Sequence, residues 1–181
     1  NAGHYNNFEW GTLAIAYQLQ HSSKGVYKAL KNKYIEAYLS KNRSRTGLEL
    51  LEMTNVGKKL IEYQHHNSAF IFGSDQSPSN ISKAYWVNFL HQETAFTHGP
   101  TDLAKSLGWP IIYIDIKTIK RGHYEAEISI AIEDPSNWDA QEIAQLLASK
   151  YEQTIRNSPS DWLWSHKRWK WRRENGKPTR I

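Results

Sequence analysis

The sequence predicts a single α/β domain over residues 1–181, built on a mixed, mostly parallel sheet flanked by helices. Three observations carry that expectation. A chain of 181 residues with 39% hydrophobic positions is long enough for one sizeable core and short for two. Short apolar runs bounded by polar or turn residues, AFIFG at 69–73 and PIIYIDI at 110–116, read as buried strands. Segments of helical periodicity are interleaved with them, the order of an α/β chain.

The first helix is expected over 8–21, where Phe8, Leu13, Ala16, Tyr17 and Leu19 recur with few breakers. A strand follows over 25–30. An amphipathic helix over 33–42 carries Tyr34, Ile35, Tyr38 and Leu39 on one side and is broken by Asn42, Arg43, Ser44, Arg45 and Gly47. After a short apolar piece over 48–53, Asn55 caps a helix over 55–65 with Val56, Leu60 and Ile61 as its stripe. Beyond the 69–73 strand come a strand over 85–90 and a helix over 99–107, with Pro100 near its start and Gly108 past its end. Strands over 110–116 and 124–132 suggest an antiparallel pair, the second alternating Glu125, Glu127, Ser129 with Ala126, Ile128, Ile130. The last helix runs over 139–156, with Asp139 as cap and Ile143, Leu146, Leu147, Tyr151 and Ile155 facing inward.

Composition removes several classes of function. The chain is too aromatic, at 13%, for a disordered protein, and no apolar run approaches the roughly 18 residues of a membrane span. Without cysteine there is no disulfide framework, no thiolate nucleophile and no Cys-ligated metal. The net charge of +5 is local: residues 162–181 hold seven Lys/Arg against Glu174, whereas the other 161 residues hold 16 bases and 17 acids. Trp162, Trp164, Trp169 and Trp171 fall in the same stretch, so residues 158–181 form a basic, Trp-rich segment where partner contact is expected. The chain opens Asn1-Ala2-Gly3 without methionine and reads as an internal piece of a longer protein.

Four groups of residues carry chemistry. His4 has an acid, Glu9, five positions on, a spacing that this composition supplies about once by accident. Context raises it: His4 precedes a helix starting near Phe8, and across a loop-to-helix junction the two side chains can meet, whereas on a continuous helix they diverge. A carboxylate on Nδ1–H would fix the tautomer and leave Nε2 as a general base. A surface histidine and a helix-dipole glutamate is the alternative. Arg43 and Arg45 are either a solvated pair or a phosphate site. Asp75 and Gln76 follow a buried strand, where open α/β sheets place functional groups, and also suit a turn.

His65-His66 are not a metal pair, because adjacent helical residues point apart and no carboxylate lies three or four positions on; no metal or cofactor is expected. The segment WLWSHKRWKWR, with Trp162, Trp164, His166, Arg168, Trp169 and Lys170, has three readings: an anionic membrane surface, stacking on nucleic-acid bases, or packing on the domain.

Taken in order, these pieces resemble the lipid A biosynthesis acyltransferase family, the late acyltransferases within the glycerolipid acyltransferase-like superfamily. GHYNNFEW is similar to the family's Gly-His-x-Gly-Asn-Trp-Glu block: Asn7 and Glu9 match, Asn6 stands where the family has Gly and Phe8 where it has Trp. The stretch Asn42-Arg43-Ser44-Arg45 resembles the region of the family's arginine. FGSDQSPS resembles its strand and Asp-Gln turn, and TAFTHGPTDLAKSLGWP its Thr-Gly and Leu-Ala block. PSDWLWSHKRWKWR resembles the closing Pro-x-x-Tyr/Trp-x-Trp-x-His-x-Arg-Phe/Trp-Lys signature, with Lys167 in place of an arginine. The resemblance runs from Gly3 to about Arg173.

The resemblance implies an acyltransferase fold and an O-acyl transfer from acyl carrier protein to a hydroxyl of a lipid A precursor, with no cofactor. It implies His4 as the base and Glu9 as its partner, Arg43 and Arg45 on phosphates, and Asp75 and Gln76 shaping the site. Backbone N–H groups near Phe8 or an arginine would hold the oxyanion. It also implies a place on the cytoplasmic face of the inner membrane, anchored by a segment upstream of Gly3, with the basic tail against anionic lipid and no nucleic acid as partner. Two alternatives stand beside it: the same chemistry on another glycolipid or an ornithine-type lipid, and a non-catalytic lipid- or nucleic-acid-binding module using the tail.

Overall fold

The computed structural model of the chain describes residues 1–63 and 65–181. It contains both helices and strands, three of the strands forming a parallel sheet, an α/β fold. Two compact units are formed, Asn7–Gly73 and the pair of segments Asn1–Asn6 and Ser74–Ile181.

The unit Asn7–Gly73 runs α1 (Phe8–Gln18), β1 (Ser22–Tyr27), α2 (Lys33–Ser44), β2 (Glu49–Glu52), α3 (Val56–Tyr63) and β3 (Ser68–Ile71). The strands pair in parallel in the order β2-β1-β3, because each is returned by a helix rather than a tight turn. Central β1 is the buried one, with Ser23 and Lys24 fully covered. Lys24 tolerates this because it is ion-paired to Glu49 and its ammonium lies 4.2 Å from the centroid of Tyr63, whose hydroxyl also donates to Glu49 at 2.7 Å. Strand β3, expected to be fully buried, is half-buried because it is an edge of the sheet. The first strand begins three residues earlier than expected, at Ser22. Helix α2 is capped by Asn32, which accepts from the N–H groups of Tyr34 and Ile35, and it has no buried residue. Gln64, inside the helix expected over 55–65, lies outside the described residues.

The other unit contains β4 (Tyr85–Phe89), β5 (Gln92–Phe96), α4 (Gly99–Leu107), β6 (Ile111–Lys120), β7 (His123–Ile132), α5 (Ala140–Asn157), β8 (Trp171–Glu174) and β9 (Lys177–Arg180). Its ladders β4-β5, β6-β7 and β8-β9 are all antiparallel pairs, and β6-β7 is the pair expected around 111–132. Helix α4 has its bounds as expected, with Gly108 left-handed at φ 64° beyond its end. Asp139 caps α5 by accepting from the Gln141 N–H at 2.7 Å. The buried stripe of α5, Ile143, Leu147, Tyr151 and Ile155, meets Val87, Phe89, Phe96, Tyr113 and Trp162 in the core of this unit. The β4-β5 turn has both central residues, Leu90 and His91, at positive φ, the backbone of a two-residue hairpin turn. Glu152 of α5 fixes it by accepting from the Leu90 N–H at 2.8 Å.

Candidate active site

The segment of residues 2–6 is held by isolated bridges at both ends within its unit. Ala2 bridges to Ile114 of β6, and Tyr5 bridges to Trp162. The N–H of Leu163 donates to the His4 carbonyl at 3.2 Å, and that of Asn6 to the Asp161 carbonyl at 2.7 Å. Tyr5 is buried, and its hydroxyl donates to the Thr154 carbonyl at 3.0 Å and to that of Ser158. Gly3 sits at a close approach: a Cβ there would stand 3.3 Å from the Tyr151 ring, a tight contact, and 3.6 Å from Cγ of Asp75. Asn6 has φ 53°, in the left-handed region that glycine adopts freely and asparagine tolerates. Its side chain is held by Thr118, at 2.7 and 3.0 Å, and by Asp161 at 3.2 Å.

This backbone delivers His4 to Asp75. Nδ1 of His4 lies 2.7 Å from Oδ1 of Asp75, and the His4 N–H donates to Oδ2 at 2.9 Å. The indole N–H of Trp162 donates to the same Oδ2 at 3.0 Å. Asp75 is 2% exposed, while the His4 side chain is 25% exposed. Burial pushes the Asp75 carboxyl up, but the bonds and charge of His4 and the bond from Trp162 outweigh it and hold the group below its ordinary value. An ionised carboxylate has no proton to give, so the hydrogen between the two belongs to Nδ1, a tautomer whose lone pair lies on Nε2. This is the orientation of a general base whose tautomer is fixed by a buried acid.

Residues 162–168 build the wall of this site. Besides the Trp162 indole and the Leu163 N–H, Nε2 of His166 accepts from the Ser77 N–H at 3.0 Å, tying down the turn after Asp75. Burial first, then the charges of Lys170 and Arg168, keep His166 below its ordinary value, which favours the neutral acceptor ring. Trp162 and Arg168 are buried, Trp169 and Lys170 half-buried, and Trp164 exposed. Trp169 donates its indole N–H to the buried Thr94 hydroxyl at 2.9 Å, so Trp162 and Trp169 are engaged in packing while Trp164 is not. Gln76 is half-buried beside Asp75.

Glu9 and Arg43 belong to the unit Asn7–Gly73 and pair with each other. Arg43 grips the Glu9 carboxylate with both arms, Nε to Oε2 at 2.9 Å and Nη2 to Oε1. The bond to Glu9 raises the guanidinium above its ordinary value despite partial burial. Arg45 is exposed and makes no ion pair among the described residues. An acid in contact with His4 is Asp75, a partner that the sequence places at a strand end without pairing it with the histidine. Among the described residues no group of three His, Cys, Asp or Glu is placed to hold a metal.

The family model described as bacterial lipid A biosynthesis acyltransferase matches residues 2–171. The chain belongs to that family. The match includes both the His4 segment and the Trp162–Arg168 wall, so the residues that build the site all lie within the family region. No curated protein matches the chain.

Proposed function

We propose that this family member transfers a fatty acyl group from acyl carrier protein to a hydroxyl of a glucosamine-based lipid A precursor, with His4 as the general base. The observation that carries the reading is the 2.7 Å contact between Nδ1 of His4 and the buried Asp75 carboxylate. The acceptor hydroxyl gives its proton to Nε2 of His4 as its oxygen attacks the thioester carbonyl. The tetrahedral intermediate collapses with loss of the C–S bond, and the thiolate takes the proton back from the imidazolium. Asp75 keeps the ring oriented and offsets the charge it gains. No enzyme nucleophile is needed, in keeping with a chain that has no cysteine.

In this reading Glu9 fixes the Arg43 guanidinium, a cation suited to a phosphate of the acceptor or carrier, and Asp75 takes the orienting role expected of Glu9. Arg45 and Gln76 remain binding residues of the proposal. The reaction is placed at the cytoplasmic face of the inner membrane. Support for a lipid surface comes from α1 and α2, where Trp10, Tyr17, Tyr34, Ile35 and Tyr38 are all exposed. Trp162 and Trp169 support it less, since they are packed inward, and for the same reason they are poorly disposed to stack on nucleic-acid bases. Among the described residues no helix is long and apolar enough to cross a membrane. The test is acyl transfer from labelled acyl carrier protein to a lipid A precursor, read by thin-layer chromatography and mass spectrometry. Transfer by the wild-type chain that is lost in His4→Ala supports the reading, and undiminished transfer by that variant overturns it.

A further inference from the structure

Strand β7 is 10 residues long and, among the described residues, pairs on one side alone, with β6. Residues 123–128 are exposed throughout. Cross-strand partners share a face, so Ile112 with Ile130, Ile114 with Ile128 and Ile116 with Ala126 line one side of the ribbon. That side is apolar, yet Ile128 is 50% and Ile130 66% exposed, and Ile112 is exposed beside them. The other side is polar: it pairs Tyr113 with Ser129, Asp115 with Glu127 and Lys117 with Glu125, and Lys117 is ion-paired to Glu127. A long edge strand with an exposed apolar face is a template for a further strand unless proline, short length or inward-pointing charge blunts it. β7 has no proline, and Glu125 and Glu127 both lie on the polar side.

The charges of β7 select what can lie along this edge. A second copy of the chain, laid antiparallel on β7, keeps apolar side chains together when residues of the same face stand opposite one another. The ladder with β6 shifts register between Ile111 and Ile112, so the regular stretch of β7 is His123–Ile130. Centring the self-pairing on Glu125 or on Glu127 sets that glutamate against its own copy, and centring it on Ala126 sets Glu125 against Glu127; like charges directly opposite are destabilising. Centring it nearer either end leaves few residues paired. On Ile128 the conflict disappears: Ile128 meets Ile128, Ala126 meets Ile130, and Glu127 meets Ser129 while keeping Lys117 as its counter-ion.

We propose that the outer edge of β7 is a homodimer interface, in which two copies of the chain pair antiparallel through residues 126–130 about Ile128. The two ribbons then form one continuous sheet, with Ile112, Ile128 and Ile130 of both copies on a common apolar face. Each copy uses the same patch, so the contact closes on itself and stops at two chains. The interface lies on strand residues that make no contact with His4 or Asp75, and it does not depend on the reading of His4 as the base.

The experiment is sedimentation of the 181-residue chain and of variants at exposed positions, with circular dichroism to confirm folding. The expected wild-type species has twice the 21.1 kDa mass of one chain. Ile128→Lys, which sets two ammonium groups opposite each other, should sediment as a single chain. Ser129→Glu places a carboxylate opposite Glu127 of the second copy at two symmetric positions and should weaken association about tenfold, whereas Ser129→Lys should strengthen it. This opposite response is one that unspecific apolar clustering would not give, and it decides the matter should Ile128→Lys fail to fold. Because the chain has no cysteine, Ile128→Cys should oxidise to a disulfide-linked dimer, while Ile119→Cys, exposed near the far end of β6, should not. A wild type that remains a single chain up to roughly 100 μM overturns the proposal. So does a dimer that ignores both Ser129 variants and leaves Ile128→Cys unlinked, or a single chain that instead binds lipid vesicles and loses them in Ile128→Lys.

Discussion

The indole N–H of Trp162 donates to Oδ2 of Asp75 at 3.0 Å, across 87 positions of sequence, and so helps hold the carboxylate that holds His4. The C-terminal aromatic segment is therefore part of the site's construction. Trp162→Phe keeps a ring in the core but removes the donor. A hydrogen bond to a charged acceptor contributes about 1.5–3 kcal/mol, and the variant should lose stability of that order in urea unfolding, with a parallel fall in transfer rate. A loss below the effect of an ordinary ring substitution would show that the bond contributes little.

Asp75→Asn separates orientation from shape. Asparagine nearly matches aspartate in size, but its amide does not require the proton of His4 to sit on Nδ1 and cannot offset an imidazolium. Transfer should fall by about 10²- to 10⁴-fold with the fold retained. Glu9→Gln should leave the His4–Asp75 contact intact, because Glu9 is bonded to Arg43. Its effect should appear as weaker binding of the phosphorylated substrate, a rise in KM, while kcat is less affected. Steady-state kinetics on both variants test this division of roles; a kcat collapse in Glu9→Gln with KM unchanged would return the orienting role to Glu9.

Much of the fold was legible because its signals are local. Pro100 and Gly108 bracket α4, and Asp139 followed by an inward stripe defines α5, each within a few residues. Asn175-Gly176 likewise marks the β8-β9 turn, with φ values of 50° and 76°, yet the charge and tryptophan around it drew attention to partners instead. The site was half legible. His4 and Asp75 are 71 positions apart, and a contact between residues so distant leaves no periodic trace. Burial of Trp162 and Arg168 was hidden for a related reason: both residue types are common at surfaces, and only contacts with Phe89, Phe96 and Asp75 from distant segments draw them inward.

Acid should destabilise the chain in two separable windows. The His166 ring is held below its ordinary value, so it binds its proton more readily when unfolded; its contribution is present above about pH 6.5 and is lost as pH falls through the lower folded value. Asp75 also has a lowered folded value, so its contribution is present above about pH 3.9 and disappears only as pH falls further, through that value. Chemical unfolding at a series of pH values should show the upper decline removed in His166→Gln and the lower one removed in Asp75→Asn. Unchanged profiles would mean that neither group is linked to folding.

Asn6 offers a test of backbone strain at the base. Asn6→Gly and Asn6→Ala both delete the bonds to Thr118 and Asp161, so the difference between them reports φ 53° alone. Alanine should be less stable than glycine by about 1–2 kcal/mol, the cost of a Cβ in the left-handed region. Equal unfolding free energies for the two would show that residue 6 relaxes out of that conformation.

The lipid-facing part of the proposal can be tested without touching the site. Tyr34 is 89% and Tyr38 69% exposed, and they lie one turn apart on α2, a helix with no fully buried residue. Side chains so exposed contribute little to folding, so Tyr34→Ser with Tyr38→Ser should leave the thermal midpoint nearly unchanged. At an interface, however, aromatic rings seated at the headgroup level strengthen binding through both area and position. Sedimentation with vesicles containing anionic lipid should therefore show several-fold weaker association of the double variant. Trp164→Ser, also exposed but outside α1 and α2, serves as the comparison. Loss of vesicle binding in Trp164→Ser alone would move the lipid contact back to the C-terminal segment.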